Sequence, residues 1–205
     1  MQPKMVRCNL LMQRRSDGFL LQEVKKLCDA GTLQKALLFA HHMENLGCPP
    51  STKVFSSLLQ ACTHQKDIHT GREVYSWITR SGFHNVFLRN QLIRMFSSCG
   101  SLIEAKEVFN HVNKPNLFTW TAIISAHIDM GSSDMAISLY NHMWNASKGF
   151  CGAKPDAHLF VSVLKACASA CNLIQGRLVH GHIRQIGLET HIFVANSLIS
   201  MYARC

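Results

Sequence analysis

Acidic residues, long uncharged stretches and closely paired cysteines are scarce or missing in this sequence. Its 205 residues include 12 Asp and Glu against 21 Lys and Arg, a formal net charge of +9. This basic balance suits a polyanionic partner or an acidic surface and does not choose between them. No stretch without Asp, Glu, Lys or Arg is longer than 14 residues, which excludes a membrane-spanning helix. The nine cysteines never occur as Cys-x-x-Cys, which indicates reduced thiols rather than a disulfide scaffold.

Common enzyme motifs are absent as well. The sequence contains no Walker loop, no Rossmann glycine pattern and no nucleophile elbow,. His42-Met43-Glu44 matches half of the zinc-deaminase signature, but the Cys-x-x-Cys half that would complete it is missing,. We therefore expect no enzyme activity, cofactor or metal site in this chain; a Cys/His metalloenzyme is the alternative that a metal assay would test.

The first 16 residues contain four basic side chains and no acidic one: Lys4, Arg7, Arg14 and Arg15. A basic, acid-free and partly apolar leader is typical of an organelle-targeting segment, and a frayed basic N-terminus is the alternative. Because the leader carries Arg rather than many Ser residues, it favours the mitochondrion over the chloroplast. The rest of the chain has 17 basic and 12 acidic residues, a net charge of +5, so the basic character extends beyond the leader.

The sequence repeats itself at a long and nearly constant offset. Residues 57–62 (SLLQAC) return as 162–167 (SVLKAC), 105 positions later, and residues 90–96 (NQLIRMF) return as 196–202 (NSLISMY), 106 positions later. This offset is about three times the length of a helical-hairpin repeat. We therefore expect three distinguishable repeats per cycle.

The repeats divide most of the chain into units of 31 to 40 residues, each the size of a helical hairpin,. The eighth residue of each unit is aliphatic: Val24, Leu59, Ile93, Ile124, Leu164 and Ile199. The twentieth is small, so that two helices can approach closely: Ala36, Gly71, Ala105, Ala136 and Gly176. We predict an all-α fold, a right-handed α-solenoid of helix-turn-helix repeats. Cysteines at equivalent places are predicted to be core residues: Cys62, Cys167, Cys99 and Cys205.

Several units resemble the pentatricopeptide repeat. Residues 118–124 (FTWTAII) and 154–156 (KPD) look like the opening and the ending of its ordinary form, 160–167 (FVSVLKAC) resemble the long form, and 86–93 (VFLRNQLI) the short form. The order ordinary, long, short is that of a plant subclass with alternating repeat types. The resemblance implies this organisation: 1–16 leader, 17–51 degenerate ordinary repeat, 52–85 long repeat, 86–116 short repeat, 117–156 ordinary repeat with a loop insertion at 147–151, 157–191 long repeat and 192–205 truncated short repeat.

A tetratricopeptide array, which would make the chain a protein-interaction scaffold without RNA selectivity, is the alternative. Such repeats carry Gly or Ala at the eighth residue and Ala at the twenty-seventh. The twenty-seventh residues here are larger: Met43, Ile78, Val112, Met143 and Ile183. The pattern therefore favours the pentatricopeptide interpretation.

The second, fifth and ninth residues of a unit share one face of its first helix. Aromatic rings at the second position can stack on bases: Phe87, Phe118 and Phe193. Basic side chains at the ninth position can contact phosphates: Lys25, Arg94 and Lys165. Hydrophobic contact between adjacent repeats is the alternative role for the phenylalanines, and a solvated surface charge is the alternative for the basic residues.

In the family that the units resemble, base choice follows the fifth and last residues of a repeat. The resemblance implies three pairs, for adenine, a pyrimidine and guanine in that order: Ser56 with Asn85, Asn90 with Asn116, and Thr121 with Asp156. Cytosine is the favoured pyrimidine, and Asn196 lacks its partner because the chain stops. With protein and RNA parallel, the readable order is A, pyrimidine, G from 5′ to 3′.

The resemblance also implies a function. Members of this plant subclass bind single-stranded organelle RNA and commonly direct C-to-U editing, and many carry a C-terminal deaminase-like extension. This chain ends at Cys205, after the first helix of its last unit, so we expect a fragment of a longer protein. We expect sequence-selective RNA binding by an editing specificity factor, with catalysis supplied in trans by a deaminase or by other editing-complex proteins.

Overall fold

The fold comes from a computed structural model, which describes residues 18–83, 85–146 and 155–205. These residues form eleven helices and no strand: 18–29 (α1), Leu33–Asn45 (α2), Thr52–Gln65 (α3), Ile68–Arg80 (α4), Val86–Ser98 (α5), Leu102–Asn110 (α6), Leu117–Asp129 (α7), Ser133–Ala146 (α8), Ala157–Ser169 (α9), Leu173–Ile186 (α10) and Ile192–Arg204 (α11). The predicted all-α helical-repeat class is confirmed. No described helix is long and apolar enough to cross a membrane. The leader 1–16 and the insertion 147–151 lie outside the described residues.

Helix starts coincide with the predicted unit starts. The helices α3, α5, α7, α9 and α11 begin at residues 52, 86, 117, 157 and 192, each the first residue of a predicted unit. Polar side chains just before α5, α7 and α9 cap these starts, because each accepts a hydrogen bond from a backbone N–H of the first turn,. Gly131 adopts a φ of +72° in the turn between α7 and α8, a conformation that glycine tolerates,. The assignment of ordinary, long and short types stays a prediction.

The described residues up to Cys99 form one compact unit. In it α3 packs against α2, α4 and α5, and α4 packs against α2 and α5. Gly71 lets α4 approach α5 closely, since a Cβ at this residue would lie 2.6 Å from the Met95 sulfur. This contact confirms the role predicted for a small twentieth residue.

The described residues from Gly100 onward form a second compact unit. Its central helix is α9, which packs against α7, α8, α10 and α11, while α6 contacts α7. Tyr140 and Phe160 are fully buried in its core. Gly176 lies at the place equivalent to Gly71, and a Cβ there would overlap the Met201 sulfur.

Burial confirms part of the predicted core and corrects the rest. Cys62 and Cys167 are buried, and burial raises the pKa of their thiols to about 12 and about 11. The core prediction is wrong for Cys99, which is half-buried, and for Cys205, which is exposed. Both follow the last turn of a helix, α5 and α11, beyond the residues that face the core. Ile199 is exposed as well, whereas the other five aliphatic eighth residues are buried.

Candidate nucleic-acid interface

The second, fifth and ninth residues of the first helices lie on a face that reaches solvent. On α5, Phe87 and Arg94 are exposed and Asn90 is half-buried, whereas Leu92 and Ile93 are buried. The other first helices agree, since no described residue at any of these three positions is buried. The core packs on other faces of each helix, so the side chains at these positions keep some contact with solvent.

In the compact unit that ends at Cys99, the first helices of three repeats form an open depression. Its lining comes from α1, α3 and α5: Leu21, Lys25, Thr52, Lys53, Ser56, Ser57, Gln60 and Phe87. Lys25, Ser56 and Phe87 thus line one depression, although they come from three consecutive predicted units. Asn85, the predicted partner of Ser56, does not line it. A cation, a hydroxyl and an aromatic ring are the groups that bind a phosphate, a base edge and a base face.

The three predicted stacking residues expose most of their side chains. Phe87, Phe118 and Phe193 are 53%, 73% and 68% exposed. Such exposure leaves ring surface open to a ligand, and the stacking role stays a prediction. Phe193 has a neighbouring aromatic ring, His191, with 5.9 Å between the ring centroids.

The fifth residues differ in the hydrogen-bonding atoms that they leave free. Ser56 Oγ accepts a hydrogen bond from Gln91 Nε2 at 2.9 Å, so its proton is not used,. Thr121 Oγ1 donates to the carbonyl of Leu117 at 2.9 Å, so only its lone pairs are available. Asn90 Oδ1 is buried with no hydrogen-bond partner among the described residues, whereas Asn196 is exposed.

The three last residues of repeats that are predicted to take part in base choice are also the N-caps of the next helices. Each Oδ1 accepts a bond from a backbone N–H of the next helix: Asn85 from Phe87 at 2.8 Å, Asn116 from Thr119 at 2.9 Å, and Asp156 from Leu159 at 2.9 Å. N-cap positions favour Asn and Asp for this reason alone, a role that the sequence reasoning about bases missed. All three residues are exposed, so the second polar atom of each side chain is left for another partner.

The three predicted phosphate-contacting residues are exposed. No described carboxylate forms an ion pair with Lys25, Arg94 or Lys165, whereas neighbouring Lys26 pairs with Glu23 at 2.6 Å. Free surface cations suit both a phosphate contact and a solvated charge, so this role stays a prediction. Sequence reasoning missed four polar residues of the same depression: Thr52, Lys53, Ser57 and Gln60. Lys53 and Gln60 hold the second and ninth positions of their repeat, and those positions are the signal that identifies them.

The segment His42-Met43-Glu44, which matches half of the deaminase signature, lies where helices α2 and α4 contact each other. Glu44 Oε1 accepts a hydrogen bond from Trp77 Nε1 at 3.1 Å, and the Trp77 ring stacks on His41 with 3.7 Å between centroids. Within the described part of the chain, no three His, Cys, Asp or Glu side chains are grouped so as to hold a metal ion. These contacts give the segment around His42 a role in joining α2 to α4.

The fold and this face define a helical-repeat protein whose first helices present aromatic, polar and basic side chains to solvent. The family profile described as "PPR repeat" matches residues 88–114 and 118–146. These two segments therefore match the pentatricopeptide repeat, which the resemblance of their units implied. The plant subclass with alternating repeat types stays a prediction.

Two relatives from Arabidopsis thaliana show how much of a longer protein is matched. A chloroplastic pentatricopeptide repeat-containing protein is 33% identical over 193 residues, which are 93% of this chain and 22% of that protein. A putative mitochondrial pentatricopeptide repeat-containing protein is 30% identical over 182 residues, 88% of this chain and 28% of its own length. The chain thus spans 22% to 28% of these curated relatives.

Solved structures share the fold at low sequence identity. The pentatricopeptide repeat protein PPR10, solved in complex with an 18-nt psaJ RNA element, matches with a TM-score of 0.74 and 20% identity over 92% of this chain and 27% of its own. The Arabidopsis thaliana nuclear protein-only RNase P 2 matches with a TM-score of 0.61 and 18% identity over 82% of this chain and 38% of its own. These likenesses show the helical-repeat fold.

Proposed function

We propose that this chain is part of a pentatricopeptide repeat protein that binds single-stranded RNA in a plant mitochondrion or chloroplast. The observation that carries the proposal is the depression that Lys25, Ser56 and Phe87 line. A net charge of +9 supports a polyanionic ligand,. The relatives named chloroplastic and mitochondrial support the location, and the neighbour solved with RNA supports the ligand.

Base choice is proposed at one place in each compact unit. In the first unit, Ser56 has a free proton and suits a base whose ring nitrogen accepts it, as in adenine,. In the second unit, Thr121 offers lone pairs and Asp156 a carboxylate oxygen, which suit the ring N–H and amino donors of guanine. The pyrimidine proposed for Asn90 with Asn116 completes the order A, pyrimidine, G.

RNA binding by the 205-residue chain tests this function. Fluorescence anisotropy would compare short RNAs containing A-C-G, A-C-A and a scrambled order at two salt concentrations. The tightest binding is expected for A-C-G, and all binding should weaken with salt because the cations release counterions. Equal affinity for the three RNAs would contradict base choice. A failure to bind any of them would contradict RNA binding and favour the protein-interaction scaffold.

The biological process that this RNA binding serves is proposed to be C-to-U editing, with a deaminase acting in trans. The order of repeat types in the sequence supports it, because that order belongs to the subclass that directs editing. Sequencing of organelle transcripts from plants that lack the protein is the test. At least one cytidine near an A-pyrimidine-G sequence should lose its editing, and fully normal editing would contradict the proposal.

A further inference from the structure

Ser56 is held differently from five other hydroxyl side chains among the described residues. Five described hydroxyls donate to the carbonyl four residues earlier, at 2.7–3.0 Å: Ser57 to Lys53, Thr63 to Leu59, Thr79 to Tyr75, Thr121 to Leu117 and Ser197 to Phe193. Such a bond uses the hydroxyl proton and leaves only lone pairs to a ligand. Ser56 Oγ instead accepts a bond from Nε2 of Gln91, on the next first helix, at 2.9 Å.

The consequence is a free donor at the depression. Ser56 lines it beside Lys25 and Phe87, and no described residue accepts a hydrogen bond from its hydroxyl. Since Gln91 takes one lone pair and leaves the proton unused, the hydroxyl can donate to a ligand there.

Gln91 itself does not line the depression. Its Oε1 is buried with no hydrogen-bond partner in the described part of the chain. An unpaired buried acceptor is a cost that an apolar side chain would not carry. The bond to Ser56 is therefore the polar contact through which Gln91 offsets this cost.

We infer that Gln91 is a positioning residue for base choice at Ser56, an inference that rests on the proposed RNA binding. By donating to Ser56 Oγ, Gln91 keeps the hydroxyl from turning to the Thr52 carbonyl, four residues earlier. The Ser56 proton then meets the ring nitrogen of the base. Adenine and cytosine offer an acceptor at that atom, whereas guanine and uracil carry a ring N–H there. A side chain of one repeat thus decides whether the fifth residue of the repeat before it can donate a hydrogen bond to a base.

The experiment measures affinity for four RNAs that differ only in the base facing Ser56. Gln91→Leu removes the donor, and Gln91→Glu reverses it, because a carboxylate can only accept from Ser56. Gln34→Leu is the matched control: Gln34 Nε2 donates to Thr70 Oγ1 at 2.8 Å, the same kind of bond in the same compact unit, but between α2 and α4. Ser56→Ala reports on the base contact directly.

Wild-type chain should bind the adenine RNA about fivefold more tightly than the guanine RNA, as one net hydrogen bond allows. Both Gln91 variants should bring this ratio within about twofold, and Gln34→Leu should keep it. In every variant the preference at the Thr121 position should persist.

Two results would overturn the inference, and they differ in what else they overturn. If Ser56→Ala abolishes the adenine preference while Gln91→Leu and Gln91→Glu retain it, Gln91 does not position Ser56 and the proposed RNA binding stands. If the wild-type chain binds none of the four RNAs, the proposed function fails and the inference fails with it. Circular dichroism confirms folding, and Gln91→Glu keeps the test valid if Gln91→Leu unfolds the chain.

Discussion

Substitution of Asp156 separates its role as a helix cap from its proposed role in base choice. Asp156 Oδ1 accepts a hydrogen bond from the Leu159 backbone N–H at 2.9 Å. An Asn side chain keeps this acceptor and is about as good an N-cap as Asp, so Asp156→Asn should leave the free energy of unfolding nearly unchanged. Asp156→Ala removes the acceptor and should cost about 1 kcal/mol. For a chain of this size that cost lowers the Tm by about 2–4 °C.

RNA binding should respond to Asp156→Asn even though stability does not. The substitution turns the second acceptor atom of the side chain into a donor, which then faces the donors of guanine. Loss of a hydrogen bond to a charged group costs about 1.5–3 kcal/mol, roughly a ten- to hundredfold change in Kd. We therefore expect Asp156→Asn to lose the preference for A-C-G over A-C-A in fluorescence anisotropy.

A second cap provides the control. Asn172 accepts a hydrogen bond from the Gln175 backbone N–H at 3.1 Å at the start of α10, a second helix. Asn172→Ala should lower the Tm about as much as Asp156→Ala without changing base preference. The reasoning is refuted if Asp156→Asn retains the guanine preference, or if Asn172→Ala removes it.

Three other substitutions test stacking, burial and packing. Phe87→Ala should lower RNA affinity by about 1–3 kcal/mol and leave the Tm nearly unchanged in circular dichroism, because the ring is half exposed; an unchanged Kd would contradict stacking. His127 is 2% exposed, and neither ring nitrogen has a partner among the described residues. Burial, together with the charge of Lys106, holds the pKa of its imidazole below the usual value of 6.5. Because the unfolded chain takes up the proton first, stability should fall as the pH drops below about 6.5, and calorimetry should show a weaker fall in His127→Leu. Gly71→Leu should cost about 1–3 kcal/mol in urea unfolding, since the added side chain meets Met95,; Met95→Ala should restore part of that loss, and a purely additive double mutant would contradict the contact.

Sequence predicts well the features that every repeat must share. The units found by self-comparison begin where α3, α5, α7, α9 and α11 begin, because each unit must start one helix and bury the same positions of it. The exposure of Phe87 follows from the same logic, since the second residue of a unit lies on a face other than the one that packs. The caps could also have been predicted, because Asn85, Asn116 and Asp156 each stand directly before a helix.

Individual hydrogen bonds between side chains of different helices were beyond prediction from one sequence. Gln91 and Ser56 are 35 residues apart, and their bond depends on the spacing of α3 and α5 and on the side-chain rotamers,. Repeat equivalence also misled at the helix ends. Cys62 is aligned with Cys167, and Cys99 is aligned with Cys205, yet only the first pair is buried. Burial at such places depends on the last turn of the helix, which composition and periodicity do not specify.

The central claim is the proposed contact of RNA with the exposed second residues of the first helices. Ultraviolet cross-linking of the chain to a short uridine-containing RNA, followed by mass spectrometry of the modified peptides, tests it most directly. We predict adducts on Phe87 and Phe118, which disappear at high salt as phosphate contacts weaken. Adducts confined to rings of the second helices, such as Trp144, which stacks on His182 with 3.7 Å between centroids, would contradict the account.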